Sequence, residues 1–234
     1  IDDLKAIGEV CRREGIWFHI DGCIGALIKI APMHHHLVDG IETADSLALD
    51  PHKWLHTPFE AGCAVVRERN LHFSTFALHG DYLEEKPRGV AAGEYLFDYG
   101  FELSRGFKAL KIWMSLKEQG VAKFGRLIDQ NIAQGMYLTK LIERQPKLEL
   151  MAPTAINIVC FRYRIEGANE AEHKALNTEI MLRMQEEGTA VMTDTTIHNR
   201  HCLRAAINNH RTRREDLDLL VSETIRLGDL LLSQ

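Results

Sequence analysis

Leu47–His56, LALDPHKWLH, decides how the chain is read. The apolar run Ser46-Leu47-Ala48-Leu49 is stopped by Asp50-Pro51, and Lys53 follows between His52 and Trp54. The run has the length and composition of a buried strand, and the proline fixes the turn that leaves it. In open α/β sheets ligands collect at the carboxyl ends of strands. An amine held there beside Trp54 and Leu55 is expected to lose solvation, which disfavours its charged form and leaves a nucleophile able to form a Schiff base.

The flanking segments supply the rest of such a sheet. Leu4, Ile7, Val10 and Cys11 recur at helical spacing and Gly15 follows as a stop; Ile16–Ile20 is then a run of strand formers ending in Asp21-Gly22. Gly62–Val66 reads as a third strand, closed by Arg67-Glu68-Arg69. Near-continuous apolar strands predict a sheet covered on both faces. Ser104 is placed to cap a helix marked by Phe107, Leu110, Lys111 and Met114 and ended by Gly120, and a longer helix is expected from about Val121 to Arg144.

The remainder reads as a small α/β unit. Ile156–Arg164 alternates as a half-exposed strand, Glu170–Glu187 is helical, and Thr189–Ile197 and Cys202–Ile207 are two further strands. Thr212-x-x-Glu215 ahead of Leu217, Leu220 and Val221 predicts a capping box for a last helix. The expected division is therefore residues 1–118 and 119–234.

Composition limits the partners. The 234 residues are 45% apolar, ample for a core, and 28 Lys and Arg against 33 Asp and Glu give a net charge of −5. With a pI near 6.2 there is no electrostatic reason to expect nucleic acid or an anionic membrane, and a small soluble ligand is the expected partner. Cys11, Cys23, Cys63, Cys160 and Cys202 are scattered singly, which suits reduced thiols in a cytoplasmic protein rather than a metal or disulfide framework. No apolar run approaches the ~20 residues needed to span a bilayer. Met33-His34-His35-His36 offers consecutive imidazoles that point in different directions, so no metal is expected there. The arginines of Arg211–Arg214 are read as decoration of a helix start. The chain opens on Ile1, within what reads as the first helical turn, so further sequence is expected upstream.

Lys53 gains weight from Asp21. An aspartate after a strand is, by itself, most simply a turn former. A Schiff-base lysine together with an aspartate at a neighbouring strand end is what pyridoxal phosphate requires: the carboxylate keeps the pyridine nitrogen protonated, so the ring accepts electrons from the substrate carbon. His52 would face either the phosphate or the imine.

FHIDGCIGAL, GIETADSLALDPHKWL, ELSRGFKALKIWM and IVCFRYR, in this order, resemble the pyridoxal-phosphate-dependent amino-acid decarboxylases of the group that includes aromatic amino acid, histidine and glutamate decarboxylases. The resemblance runs through almost the whole chain. It implies an α/β fold: the C-terminal part of a fold-type I large domain, a mostly parallel sheet with helices on both faces, followed by a small C-terminal α/β domain. It further implies that Lys53 forms the internal aldimine, that Asp21 pairs with the pyridine nitrogen, and that His52 lies close to phosphate and substrate. Tyr82, in HGDYLEEKPRG, resembles the mobile-loop tyrosine that protonates the substrate carbon, against an ordinary reading as an amphipathic surface residue. The implied activity is decarboxylation of an L-amino acid to its amine by a homodimer. The same lysine and aspartate also serve transamination and carbon–carbon lysis, and a catalytically incomplete fragment is a third reading.

Two departures are visible. The family commonly has His-Val-Asp-Ala-Ala, whereas Gly22 and Cys23 follow Asp21, which would put the Cys23 thiol on the ring face. Asp50 stands where some members have asparagine near the phosphate; a second anion there is unfavourable unless it turns away, so Asp50 is not assigned to the phosphate. Family members are also roughly twice as long, and the part not represented here would supply the phosphate loop, the group stacked on the cofactor and most substrate-selecting residues.

Overall fold

The computed structural model describes residues 1–77, 86–89 and 92–234. The chain divides into two compact units, Ile1–Gly125 and Arg126–Gln234.

In the first unit, helix α1 (Leu4–Glu14) is capped by Asp3, whose Oδ1 accepts the Ala6 N–H at 3.1 Å. Strands β1 (His19–Asp21), β2 (Ser46–Leu49) and β3 (Cys63–Val66) form a sheet in that order, β1 and β2 parallel, β2 and β3 antiparallel. Short 3-10 turns, Gly25–Ile30, His35–Val38 and Ile41–Thr43, make the crossover from β1 to β2. The ADS triplet ties the strands together. The Asp45 carboxylate accepts the Phe18 N–H at 2.8 Å, the Asp45 carbonyl accepts the Arg67 N–H at 2.9 Å, and the Arg67 guanidinium returns to the Ala44 carbonyl at 2.8 Å.

Strand β1 is shorter than the Ile16–Ile20 run predicts. The Phe18 amide is taken by Asp45, so ladder pairing begins only at His19, and Ile16 and Trp17 stay exposed. Phe18 alone of those three is buried. Cys63, Ala64 and Val65 are also exposed, so within this chain β3 is not covered on both faces. Beyond β2 lies α2 (Pro51–Trp54), with proline at its first position, and then α3 (Arg69–Phe76) and α4 (Lys108–Gln119). Helix α4 begins after Phe107, not at Ser104, and no side chain caps it. Helix α5 (Val121–Glu143) carries the chain across the boundary between the units.

The second unit is a four-stranded antiparallel sheet in the order β4 (Leu148–Leu150), β5 (Ile158–Tyr163), β7 (Arg200–Ala206), β6 (Thr193–Ile197). The three-residue β4 carries too little periodicity to announce itself in the sequence. Helices α6 (Glu170–Glu186) and α7 (Arg214–Leu232) pack on the sheet and on each other. Val159, Phe161 and Leu203 from the strands share a core with Ile180 and Met184 of α6 and Leu217 and Leu227 of α7. Each such buried side chain stabilises the unit by about 2 kcal/mol relative to exposure. Helix α7 starts one residue later than the Thr212–Glu215 box predicts: Asp216, not Glu215, reaches back to accept the Arg213 N–H at 2.8 Å.

Candidate active site

The parallel pairing of β1 and β2 sets the site. Asp21 lies opposite Ala48, so both strands leave the sheet at the same end, and the pairing continues past it: the Gly22 N–H donates to the Ala48 carbonyl at 3.0 Å and the Asp50 N–H to the Cys23 carbonyl at 3.2 Å. Asp21 and Cys23 on one side, and Asp50, His52 and Lys53 on the other, thereby come to one sheet edge.

Lys53 is fixed at both ends. Its backbone N–H donates to the Asp50 carbonyl at 2.9 Å, one turn back, and Trp54, beside it, is fully buried and anchors α2. Its Nζ lies 2.7 Å from Asp50 Oδ2, with both side chains about a quarter exposed (28% and 26%), and it also meets the Cys23 thiol. The expectation that desolvation favours the neutral amine is overturned. The Asp50 carboxylate, accepting from Nζ, raises the Lys53 pKa above the ordinary lysine value and outweighs burial, and Cys23 adds in the same direction.

His52 is held by the loop after α2. Its Nδ1 is 2.7 Å from the Ala61 carbonyl oxygen and 3.1 Å from the Ala61 nitrogen, and its ring meets Phe59 edge to face at 5.1 Å between centroids. That leaves Nε2 on the site side, 3.9 Å from Asp50 Oδ2. Asp21 is exposed at its strand end, and its Oδ1 accepts the Cys23 N–H at 3.3 Å. Gly22 between them has a steric reason: a Cβ there would lie 2.6 Å from the Ala26 Cβ.

The structure therefore brings together four of the five residues singled out from sequence, Lys53, His52, Asp21 and Cys23. Tyr82 lies outside the described residues. It adds Asp50, which charge reasoning had set aside; its i, i+3 spacing to Lys53 across the start of a helix was the available signal. Among the described residues no group of three or more His, Cys, Asp or Glu is placed to hold a metal ion, and no helix is long and apolar enough to cross a membrane.

An amine and a carboxylate at adjacent strand ends form a donor set matched to a pyridine that bears an aldehyde. Residues 1–164 match the model of the pyridoxal-dependent decarboxylase conserved domain. The chain belongs to the pyridoxal-dependent decarboxylase family. Within it, the chain is 31% identical over 218 residues to an aromatic-L-amino-acid decarboxylase of Bacillus atrophaeus, covering 93% of this chain and 45% of that protein. It is 29% identical over 215 residues to tryptophan decarboxylase TDC1 of Camptotheca acuminata, covering 92% and 43%. Among solved structures, the Oryza sativa TDC with PLP and tryptamine superposes with a TM-score of 0.88 at 26% identity, over 99% of this chain and 48% of that one. The chain thus spans less than half the length of these family members.

Proposed function

We propose that this chain carries the lysine-bearing part of a pyridoxal-phosphate-dependent decarboxylase that converts an L-amino acid to its amine. The observation that carries the reading is the convergence of Lys53 and Asp21 at the parallel β1–β2 edge, in a chain of this family. The bound cofactor would supply an electron sink for the pair of electrons left when carbon dioxide departs.

The chain's own residues divide the work. Lys53 would hold the cofactor through its Nζ. Asp21, exposed and acting as an acceptor, keeps a proton on the pyridine nitrogen. Cys23, whose thiol also meets Lys53, would lie against the bound ring. Ala61 fixes Nδ1 of His52, which leaves Nε2 free to face phosphate and substrate when they are bound. Tyr82 is the proposed proton donor to the substrate carbon. Aromatic substrates are favoured by the names of the relatives, aromatic-L-amino-acid and tryptophan decarboxylases.

The reading includes a homodimeric, cytoplasmic enzyme. Free cysteines suit a reducing compartment, and exposed apolar side chains in the first unit, Phe101, Phe107, Trp113 and Met114, suit burial against further polypeptide. A fully active monomer in size-exclusion chromatography would contradict the dimer.

The deciding experiment is an absorbance spectrum of the chain with pyridoxal phosphate, followed by borohydride reduction and peptide mapping. The expected result is a visible band and cofactor fixed to Lys53, both absent from Lys53→Ala. Cofactor fixed on other lysines alone, in this chain and in one extended upstream, rejects the assignment.

A further inference from the structure

Asp50 is the polar group of this edge to which the family chemistry gives no task here. Its position is nevertheless tightly specified. Extended backbone at the end of β2 (φ −113°, ψ 94°) turns it into α2, its N–H is tied to Cys23 across the strand ends, and its carbonyl accepts the Lys53 N–H. With Pro51 locking the intervening turn, the side chains of Asp50 and Lys53 are directed to the same side, Oδ2 2.7 Å from Nζ. The same oxygen is 3.9 Å from His52 Nε2. Among the described residues, the titratable groups facing Lys53 are thus Asp50 from the β2–α2 junction and Cys23 from the turn after β1, with His52 next to Asp50 on the far side.

We propose that Asp50 is a positioning residue that clamps Lys53 as an ammonium ion at the strand ends and takes its proton when an aldehyde arrives, so that this carboxylate sets the pH at which the site can charge. The inference deepens the proposed function and rests on Lys53 as the cofactor-bearing lysine. Capture of an aldehyde forms a carbon–nitrogen bond and releases the aldehyde oxygen as water. Nζ must first lose one proton, and Oδ2 is an acceptor already in contact. The clamp holds the side chain in place but lowers the fraction of free amine near neutrality, so the site gains orientation and specificity at the expense of unassisted reactivity.

A neutral amide in the same place removes the charge while keeping the shape. The test is competitive labelling of the whole 234-residue chain with acetic anhydride across pH, read peptide by peptide by mass spectrometry, with the other lysines as internal reference. Lys53 in the unaltered chain should label with a midpoint above those lysines, Lys108 excepted because Glu60 raises it in the same way. In Asp50→Asn the midpoint should fall, read as a gain of roughly tenfold in Lys53 labelling at pH 8. Asp50→Glu, which keeps the charge, should stay within a few-fold of the unaltered chain. A Lys53 midpoint at or below those of the other lysines overturns the proposal even if the variants misfold, as does an equal fall in both variants. The readout uses no cofactor. A raised midpoint with pyridoxal phosphate fixed on other lysines alone, in this chain and in one extended upstream, therefore rejects the proposed function and leaves the clamp standing.

Discussion

Asp21 stands opposite Ala48 in the parallel pair β1–β2, and Gly22 donates to the Ala48 carbonyl at 3.0 Å as the chain turns away. This one register places the carboxylate of one strand and the lysine-bearing turn of the other at a common edge. The turn is held close, because a Cβ on Gly22 would approach Ala26 Cβ at 2.6 Å and Leu47 Cδ1 at 3.1 Å. Gly22→Ala should therefore destabilise the chain by about 1–3 kcal/mol. It should also lower the yield of pyridoxal phosphate trapped on Lys53, since Asp21 and Cys23 move with the turn. Urea unfolding and borohydride trapping measure the two effects, and a variant of unchanged stability would show that the turn relaxes freely.

Arg162 is almost fully buried and bridges two carboxylates, Glu149 Oε2 at 2.8 Å and Glu170 Oε2 at 2.9 Å, while Arg200 also pairs with Glu149. Burial pushes both glutamates up, but the guanidinium groups hold each below the ordinary glutamate value. A carboxyl whose pKa is lower folded than unfolded contributes stability that is present above the unfolded value and lost as pH falls through the folded one. Stability of the second unit should therefore decline on acidification from about pH 4.5 downward. Arg162→Ala should cost about 2 kcal/mol at pH 7, the carboxylates being exposed enough to recover water, and should flatten that acid dependence. Denaturant melts at pH 7 and in steps below pH 5 check both.

How much was legible follows from where the signals lie. Ser46–Leu49 and Pro51 announce a strand and a turn because apolar run and proline are local, and β2 and α2 occur there. The charge state of Lys53 is not legible in the sequence, because it depends on which way one neighbouring side chain points. A desolvating environment was visible in Trp54 and Leu55, but the 2.7 Å contact with Asp50 was not. Ile16 and Trp17 look like strand interior, yet Asp45, distant in sequence, takes the Phe18 amide and shortens the strand. Residues acting over i, i+3 or across strands were thus the hard part, and runs of one residue class were the easy one.

Gly228 on α7 lies against the Tyr163 ring so closely that a Cβ would come within 2.3 Å of its Cδ2 and Cε2. The ring belongs to a buried core residue flanked by Leu227 and cannot swing aside freely. Gly228→Ala gains helix propensity of about 1 kcal/mol yet should be destabilising overall, by about 1–3 kcal/mol, because overpacking outweighs that gain. Restoring room with Tyr163→Leu in the same chain should recover part of the loss. A stabilised single variant in thermal or urea unfolding would refute the close packing.

Tyr163 also has a polar tip, and its Oη donates to Asp229 Oδ1 at 2.6 Å. Burial first, and the Asp229 carboxylate second, push its phenol pKa up to about 12 from an ordinary value of 10. The phenol is thus more basic folded than unfolded. Its contribution to stability is fully present below pH 10 and is lost as pH rises through about 12. Absorbance of tyrosinate near 295 nm, titrated in the native chain, should show a step near pH 12 from Tyr163, beside the smaller delays that hydrogen bonds to Glu94 and Asp218 give Tyr99 and Tyr137. In Tyr163→Phe that late step should vanish and stability should lose its dependence on this ionisation between pH 10 and about 12, while Asp229 keeps Lys147 at 2.7 Å and the fold persists. If the late step survived in the variant, Tyr163 would not be the group responsible.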